Sequence, residues 1–450
     1  MNGKVWVDIT DLQGWNGRFA GTQRVTYNLA LQYYLLDREH AGFVSFSSDA
    51  GGFHEVDFET IILGSEPIPE ASDVIISEPS VSSLRRAIVY VEGHIPAIIK
   101  RRALFWSAAK VGMRVGRGIR RRLFSDPFQH EQNPETNAEG QPALVAFSQN
   151  DVVLVLGKPW DYPGLQDLLI RQKPTAGFLV VQIVYDLLIS LHPQLHQAVL
   201  FQRYSEYMFD AAQVSDLLIC ISEHTKRDLF EFCDLLCIER PHAEVVRIGD
   251  EIDGTGGGGD VNVSFTGYVP GSFILCVGTI EIRKNHSLLY QVYKLAHERN
   301  IDLPKLVIVG KRGWLTQSVL HLIEHDPDVR DAISVRDDIG DSQLAWLYKN
   351  CLFSIYPSMY EGWGLPVAES LQYGKLCIAS NASSIPEIGG GLVEYFSPYD
   401  ADECLRVMQT ALVRSERELR EAKIRSEYVA TPWSATFAKL NSLIDDIISR

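Results

Sequence analysis

The stretch from Tyr356 to Glu369 limits what this chain can fold into more than any other. It reads Tyr-Pro-Ser-Met-Tyr-Glu-Gly-Trp-Gly-Leu-Pro-Val-Ala-Glu, after an apolar, β-prone run of Leu352, Phe353, Ile355 and Tyr356. Pro366 falls in the first turn of an expected helix that continues through Val367, Ala368, Ser370 and Leu371. Gly362 and Gly364 let the backbone turn sharply between strand and helix and come close to a ligand. The helix start then offers unpaired N–H groups and a positive dipole end, which favour phosphate. Glu361 in the turn and Glu369 one turn into the helix suit sugar hydroxyls on either side of a diphosphate better than phosphate alone.

The same strand, glycine turn and helix recur along the chain. Val5–Ile9 reads as a buried strand, Gly14–Thr22 as a glycine-rich loop, and Arg24–Leu36 as a helix with Val25, Leu29, Tyr33 and Leu36 on one face. Buried strands of parallel type follow at 151–157 and 177–186. The second ends in Tyr185-Asp186, which places a carboxylate at the edge where α/β sheets bind ligands. The strand from Asp216 runs into Ser222, a helix cap. Four glycines, Gly256 to Gly259, cannot hold a fixed backbone cheaply and mark a junction. Beyond it the pattern restarts with the strand Phe273–Gly278 and the turn Thr279–Asn285. Arg283 and Lys284 open the next helix against its dipole, so they call for an anion nearby.

At 450 residues, length alone suggests two or three domains. A net charge of −15 argues against a general nucleic-acid binder. Seven scattered cysteines without a Cys-x-x-Cys pair read as reduced core residues. The N-terminus lacks a signal-peptide core, and no run of about 18 uninterrupted apolar residues appears, so the expectation is a cytoplasmic protein. Residues 85–122 stand apart, with eleven Lys and Arg against one acid, Glu92. From Lys100 onward Leu104, Ala108, Val111, Val115 and Ile119 form one helical stripe, while basic residues including Arg114, Arg117 and Arg121 form another; Arg120 and Arg122 add to the charge. A basic amphipathic helix beside Phe105 and Trp106 suits an anionic bilayer, which predicts peripheral binding at the inner face of the plasma membrane.

Glu361 and Glu369, eight apart with Gly-Trp-Gly-Leu-Pro between them, resemble the signature of the retaining GT-B glycosyltransferases of family four. Gly278-Thr279-Ile-Glu-Ile-Arg283-Lys284-Asn285 resembles that family's Gly-Thr-x-x-x-Arg-Lys-Asn, and Ala20–Leu29 resembles its N-terminal loop and helix. Tyr185 stands where the pattern most often has histidine, so only Asp186 is carried across there. The resemblance spans roughly Asp8 to Trp433. It implies an α/β, GT-B fold of two Rossmann-like domains facing across a cleft. The expected division is 1–255, carrying a basic insertion at about 85–124, then 266–430 for the nucleotide sugar, then a helix at 431–450 crossing back.

By the same resemblance, Arg283 and Lys284 hold the donor diphosphate, Glu361 the sugar hydroxyls and Glu369 the ribose, with Asp186 positioning acceptor or sugar. Gly21, Thr22, Gly278, Thr279, Gly362, Trp363, Gly364 and Leu365 complete the expected binding set. No cofactor and no metal are expected, the nucleotide-diphosphate sugar being a substrate. The expected acceptor is an oligosaccharide or lipid-linked acceptor of a growing bacterial surface glycan (O-antigen, capsule or exopolysaccharide), and the expected sugar a hexose or deoxyhexose, with mannose or rhamnose favoured. Two alternatives stay open: a nucleotide-sugar epimerase of the same fold, and an inactive membrane-associated nucleotide-binding scaffold.

Overall fold

A computed structural model describes residues 3–13, 21–63, 143–251 and 267–449. The basic segment with Arg114, Arg117, Arg120, Arg121 and Arg122, loop residues 14–20 and the glycine junction lie outside the described residues. The described chain forms two sheets in sequence. The first contains β1 (Val5–Asp8), β2 (Ala41–Ser47), β3 (Gly52–Glu55), β4 (Val152–Val155), β5 (Leu179–Val184), β6 (Leu217–Cys220) and β7 (Ala243–Val245), in the order β3-β2-β1-β4-β5-β6-β7. Only β3 runs antiparallel, against β2. The second contains β8 (Phe273–Val277), β9 (Lys305–Val309), β10 (Ile333–Arg336), β11 (Ser354–Tyr356), β12 (Cys377–Ser380) and β13 (Glu394–Phe396), in the order β10-β9-β8-β11-β12-β13. Its pairings are parallel.

Strand composition explains this. β4, β5, β6 and β8 are almost entirely apolar and buried along nearly all their length. A strand buried on both faces needs helices on both sides, and the chain supplies them between strands. In each sheet the chain builds outward from its first strand, then returns to pair on that strand's other side: β4 on β1, and β11 on β8. Each return makes a switch point, and crevices at the carboxyl ends of such strands bind ligands. The β8–β11 pairing therefore brings the turn at 278–285 beside the turn at 357–364, although almost eighty residues separate them.

The helix Thr22–Leu36 buries Val25, Leu29 and Tyr33 as its periodicity requires, but Leu36 is exposed. Leu36 is the last helical residue, and the backbone leaves the helix at Asp37, so the stripe ends one turn earlier than its pattern suggests. Six of the seven cysteines are buried thiols; Cys237, in a left-handed helix end, is exposed. No helix among the described residues is long and apolar enough to cross a membrane.

The final helix, Trp433–Ile448, lies on the Thr22–Leu36 helix of the first half. Phe437 meets the Tyr33 ring edge-on at 4.9 Å, and the Tyr33 hydroxyl donates to Asn441. Trp433 is 2% exposed and packs on Gly249, where a β-carbon would stand 2.4 Å from the indole. The fully buried Asp250 carboxylate accepts from the Thr431 N–H, the Tyr428 hydroxyl and Arg247, pinning the chain as it returns. Removing a buried indole sacrifices its transfer energy and leaves a cavity. Trp433→Ala should therefore lower unfolding stability by about 3–5 kcal/mol, read from the urea midpoint; a loss under about 1 kcal/mol would show that this helix does not anchor the first half.

Candidate functional site

The turn after β8 is shaped by crowding. Gly278 has φ +144°, and a β-carbon on Gly310 would stand 2.0 Å from the Gly278 carbonyl oxygen. A short 3-10 turn, Ile282–Lys284, ends at Asn285 in the left-handed region. The buried Asn285 amide donates to the carbonyls of Pro357 (3.1 Å) and Pro398 (2.8 Å), and Met359 N–H donates to the Arg283 carbonyl. These bonds fix the cationic turn to the loop after β11.

Side chains then complete a cluster. Arg283 reaches Glu361 Oε2 at 2.5 Å and Glu281 Oε1 at 2.6 Å, and donates to the Tyr360 carbonyl at 3.2 Å. Lys284 Nζ lies 2.8 Å from Glu361 Oε1 and 2.6 Å from the Tyr356 hydroxyl, which itself donates to Glu361 Oε1. The Lys284 stem passes beside Gly278, whose φ of +144° is a backbone conformation that few residues but glycine adopt. Glu361 is 5% exposed. Burial alone would raise its pKa, but Arg283 and Lys284 outweigh burial and hold it down at about 2. Burial lowers the Lys284 ammonium, and the Arg283 charge adds to this; the attraction of Glu361 only partly offsets them. Glu281 shifts upward because burial outweighs both cations. The arrangement is a largely buried site rich in fixed charge, where an anion that joins the cations interacts strongly.

Asp186 approaches from the first half. Its carboxylate accepts from the Leu188 N–H at 3.0 Å and its carbonyl from the buried Tyr204 hydroxyl. Desolvation raises its pKa, which Arg283 partly counters. The two halves touch here with no side chain between them: a β-carbon on Gly362 would lie 1.9 Å from the Tyr185 carbonyl oxygen. The Tyr185 hydroxyl donates to the Leu156 carbonyl.

Glu369 lies one helical turn on, 9% exposed, and accepts from the Tyr348 hydroxyl and Arg24 Nη1, each at 2.8 Å. Arg24 stands two residues beyond Thr22, the first residue of a helix whose N-cap is Gly21 at φ +55°. Gly364, at φ +130°, precedes the helix Leu365–Gln372. Trp363 is buried under the Arg247 guanidinium at 5.0 Å, and its indole N–H finds no hydrogen-bond partner among the described residues. Leu365 is partly buried against an apolar cluster to which both halves contribute. The Thr279 methyl faces Gly313.

The structure thus gathers Arg283, Lys284, Glu361 and Gly278 in one cluster, with Asp186 and Gly362 at its edge and Glu369 held separately by Arg24. Glu281, Tyr356, Tyr348 and Arg24 were not foreseen as site residues. Glu281 carries a local signal, alternating with Arg283 across one turn. Arg24 carries none, since its partner lies in the other half of the chain.

A family model described as Glycosyl transferases group 1 matches residues 268–425. The O-antigen chain mannosyltransferase B of Escherichia coli is 32% identical over 323 residues, covering 66% of this chain and 81% of that protein. The serotype-specific mannosyltransferase WbdA of Escherichia coli is 31% identical over 175 residues, 39% of this chain; the match spans only 21% of WbdA. Among solved structures, the α,α-trehalose 6-phosphate synthase from Burkholderia multivorans shares the fold with a TM-score of 0.51 at 10% identity, over 68% of this chain and 72% of that one. With two Rossmann-like halves of GT-B type and a relative aligned across most of its length, this chain belongs to the group 1 glycosyl transferases, the GT-B glycosyltransferases of family four.

Proposed function

We propose that this glycosyltransferase moves mannose from GDP-mannose to a growing, lipid-linked bacterial surface glycan of O-antigen type, with retention of configuration. The observation that carries this reading is the meeting of Arg283 and Lys284 with Glu361 at adjoining strand ends. The names of the two Escherichia coli mannosyltransferases support the choice of sugar and glycan.

The reaction breaks the bond between the anomeric carbon and the diphosphate. Positive charge develops on the sugar and negative charge on the leaving group. In the proposed complex the diphosphate lies against Arg283 and Lys284, which stabilise that growing charge as fixed groups in a largely buried site. They supply there what a divalent ion supplies elsewhere. A diphosphate that takes over the cations releases the Glu361 oxygens to accept from sugar hydroxyls. Glu369 turns from Arg24 to the ribose hydroxyls, and the start of the helix after Gly364 turns its positive dipole end to the phosphates. The leaving phosphate removes the acceptor's proton on the same face of the sugar, so no enzyme nucleophile is required. Asp186 positions acceptor or sugar from the opposite wall.

Vesicle attachment through residues 85–122 belongs to the same proposal: it brings the cleft to a lipid-carried acceptor. Reversing Arg120, Arg121 and Arg122 to Glu should abolish co-flotation with anionic vesicles, and unchanged flotation would remove this part of the reading.

Lys284→Ala and Glu361→Ala should each cut transfer from GDP-mannose by about 100-fold or more, the scale of losing one preorganised charged group; near-parental turnover in either would contradict the assignment. Product from the parent enzyme should keep the donor's anomeric configuration when read by NMR coupling constants; an inverted product would exclude the same-face mechanism. In a thermal-shift panel GDP-mannose should raise the melting temperature more than rhamnose nucleotides do, because a ligand of the folded state stabilises it by mass action.

A further inference from the structure

The loop that carries Glu361 is held from the first half as well. Tyr360 is 3% exposed, and its ring packs between His192 and His224, at centroid distances of 5.2 and 5.7 Å. Its hydroxyl donates to Asp228 Oδ2, on the helix Glu223–Leu236. Asp228 is 8% exposed, and His224 Nε2 stands 3.4 Å from the same oxygen. The Tyr360 carbonyl meanwhile accepts from Arg283. A single residue, next in sequence to Glu361, is thus fixed at its backbone by the site's cation and at its hydroxyl by a carboxylate of the other half. A tyrosine has only two side-chain torsions, so holding both ends leaves the peptide between Tyr360 and Glu361 little freedom. No step of the transfer proposed above uses Asp228.

We propose that Asp228 is a positioning residue: through the Tyr360 hydroxyl it holds the loop 358–363 so that Glu361 meets Arg283 and Lys284, and it ties this placement to the approach of the two halves. Asp228 acts at a distance from the reacting atoms, with Tyr360 between them. The kinetic consequence rests on the mannosyl-transfer reading; the structural consequence does not.

Two amides report on the loop directly. Met359 N–H donates to the Arg283 carbonyl, and Glu361 N–H to Ser383 Oγ at 2.7 Å. Hydrogen–deuterium exchange on the full chain, without any sugar, is the deciding measurement. Tyr360→Phe and Asp228→Ala should each speed exchange in peptides covering 358–363 by about 10-fold, since each removes a buried hydrogen bond to a charged group. Asp228→Asn, which still accepts from the tyrosine, should restore most of the protection. Exchange in β8 should stay at the parental rate. Unchanged exchange at 358–363 in Tyr360→Phe would overturn the proposal, and so would a rise shared equally with β8. Tyr360→Phe leaves the Asp228 helix intact, so it decides the matter even if Asp228→Ala fails to fold. With GDP-mannose and octyl α-mannoside, Tyr360→Phe should lower kcat by about 10-fold with donor KM within about twofold, the pattern of a misplaced catalytic group; parental kcat would overturn the proposal. Failure of the parent enzyme to use this pair would count against the donor or acceptor reading alone, and the exchange measurement would still decide the role of Asp228.

Discussion

A carboxylate with two cations, closed in where strands β8 and β11 end side by side, is the interaction on which this structure depends. Isolated burial of any of the three charges would be costly, and pairing offsets that cost only if the geometry is kept. Much of the surrounding architecture keeps it. The Asn285 amide bridges the two loops, Gly278 supplies the positive φ that the turn needs, and the Tyr356 hydroxyl accepts from Lys284. Strand order makes the meeting possible, since a chain that paired β11 on any strand but β8 would leave the arginine and the glutamate apart.

The two halves meet through two kinds of contact with different physical properties. Behind the cleft ring packing joins a buried polar anchor: Trp433 and Phe437 return to the first half and bury rings against Gly249 and Tyr33, and Asp250 holds Thr431 and Tyr428 beside them. Across the cleft it is polar. Arg24 pairs with Glu369, Tyr360 with Asp228, and Glu387 accepts from the Glu223 and His224 N–H groups at the start of their helix, at 2.8 Å each. A polar contact can be exchanged for water at a net cost of about 1 kcal/mol, whereas stripping an indole from its pocket costs several times that. The contacts across the cleft are therefore easier to break than the ring packing behind it.

How much of this was legible in the sequence depended on range. Local signals worked well. The aliphatic runs gave the strands, Ser222 caps its helix as its residue type suggests, and Pro366 stands in the first turn of its helix. The glutamates and glycines of 361–369 and the Arg283-Lys284 pair were readable because each group lies within one turn or one β–α unit. Leu36 shows where periodicity fails: a stripe does not say where a helix stops. Contacts between the halves were not legible. Arg24 looks like any helix cation, Tyr360 like any loop aromatic and Asp228 like any solvated acid, until the cleft brings each to its partner. Tyr356 and Tyr348 were visible only as apolar ring positions; their hydroxyl partners lie across a helix or a turn.

The central claim is that the Arg283, Lys284 and Glu361 cluster is a binding site for a pyrophosphate-linked sugar. A crystal structure of the protein with GDP-mannose or a non-hydrolysable analogue tests it most directly. The account predicts phosphate oxygens within about 3 Å of both Arg283 and Lys284, with Glu361 turned from the lysine to the sugar hydroxyls. A nucleotide sugar bound elsewhere, with the Lys284–Glu361 pair left intact, would contradict it.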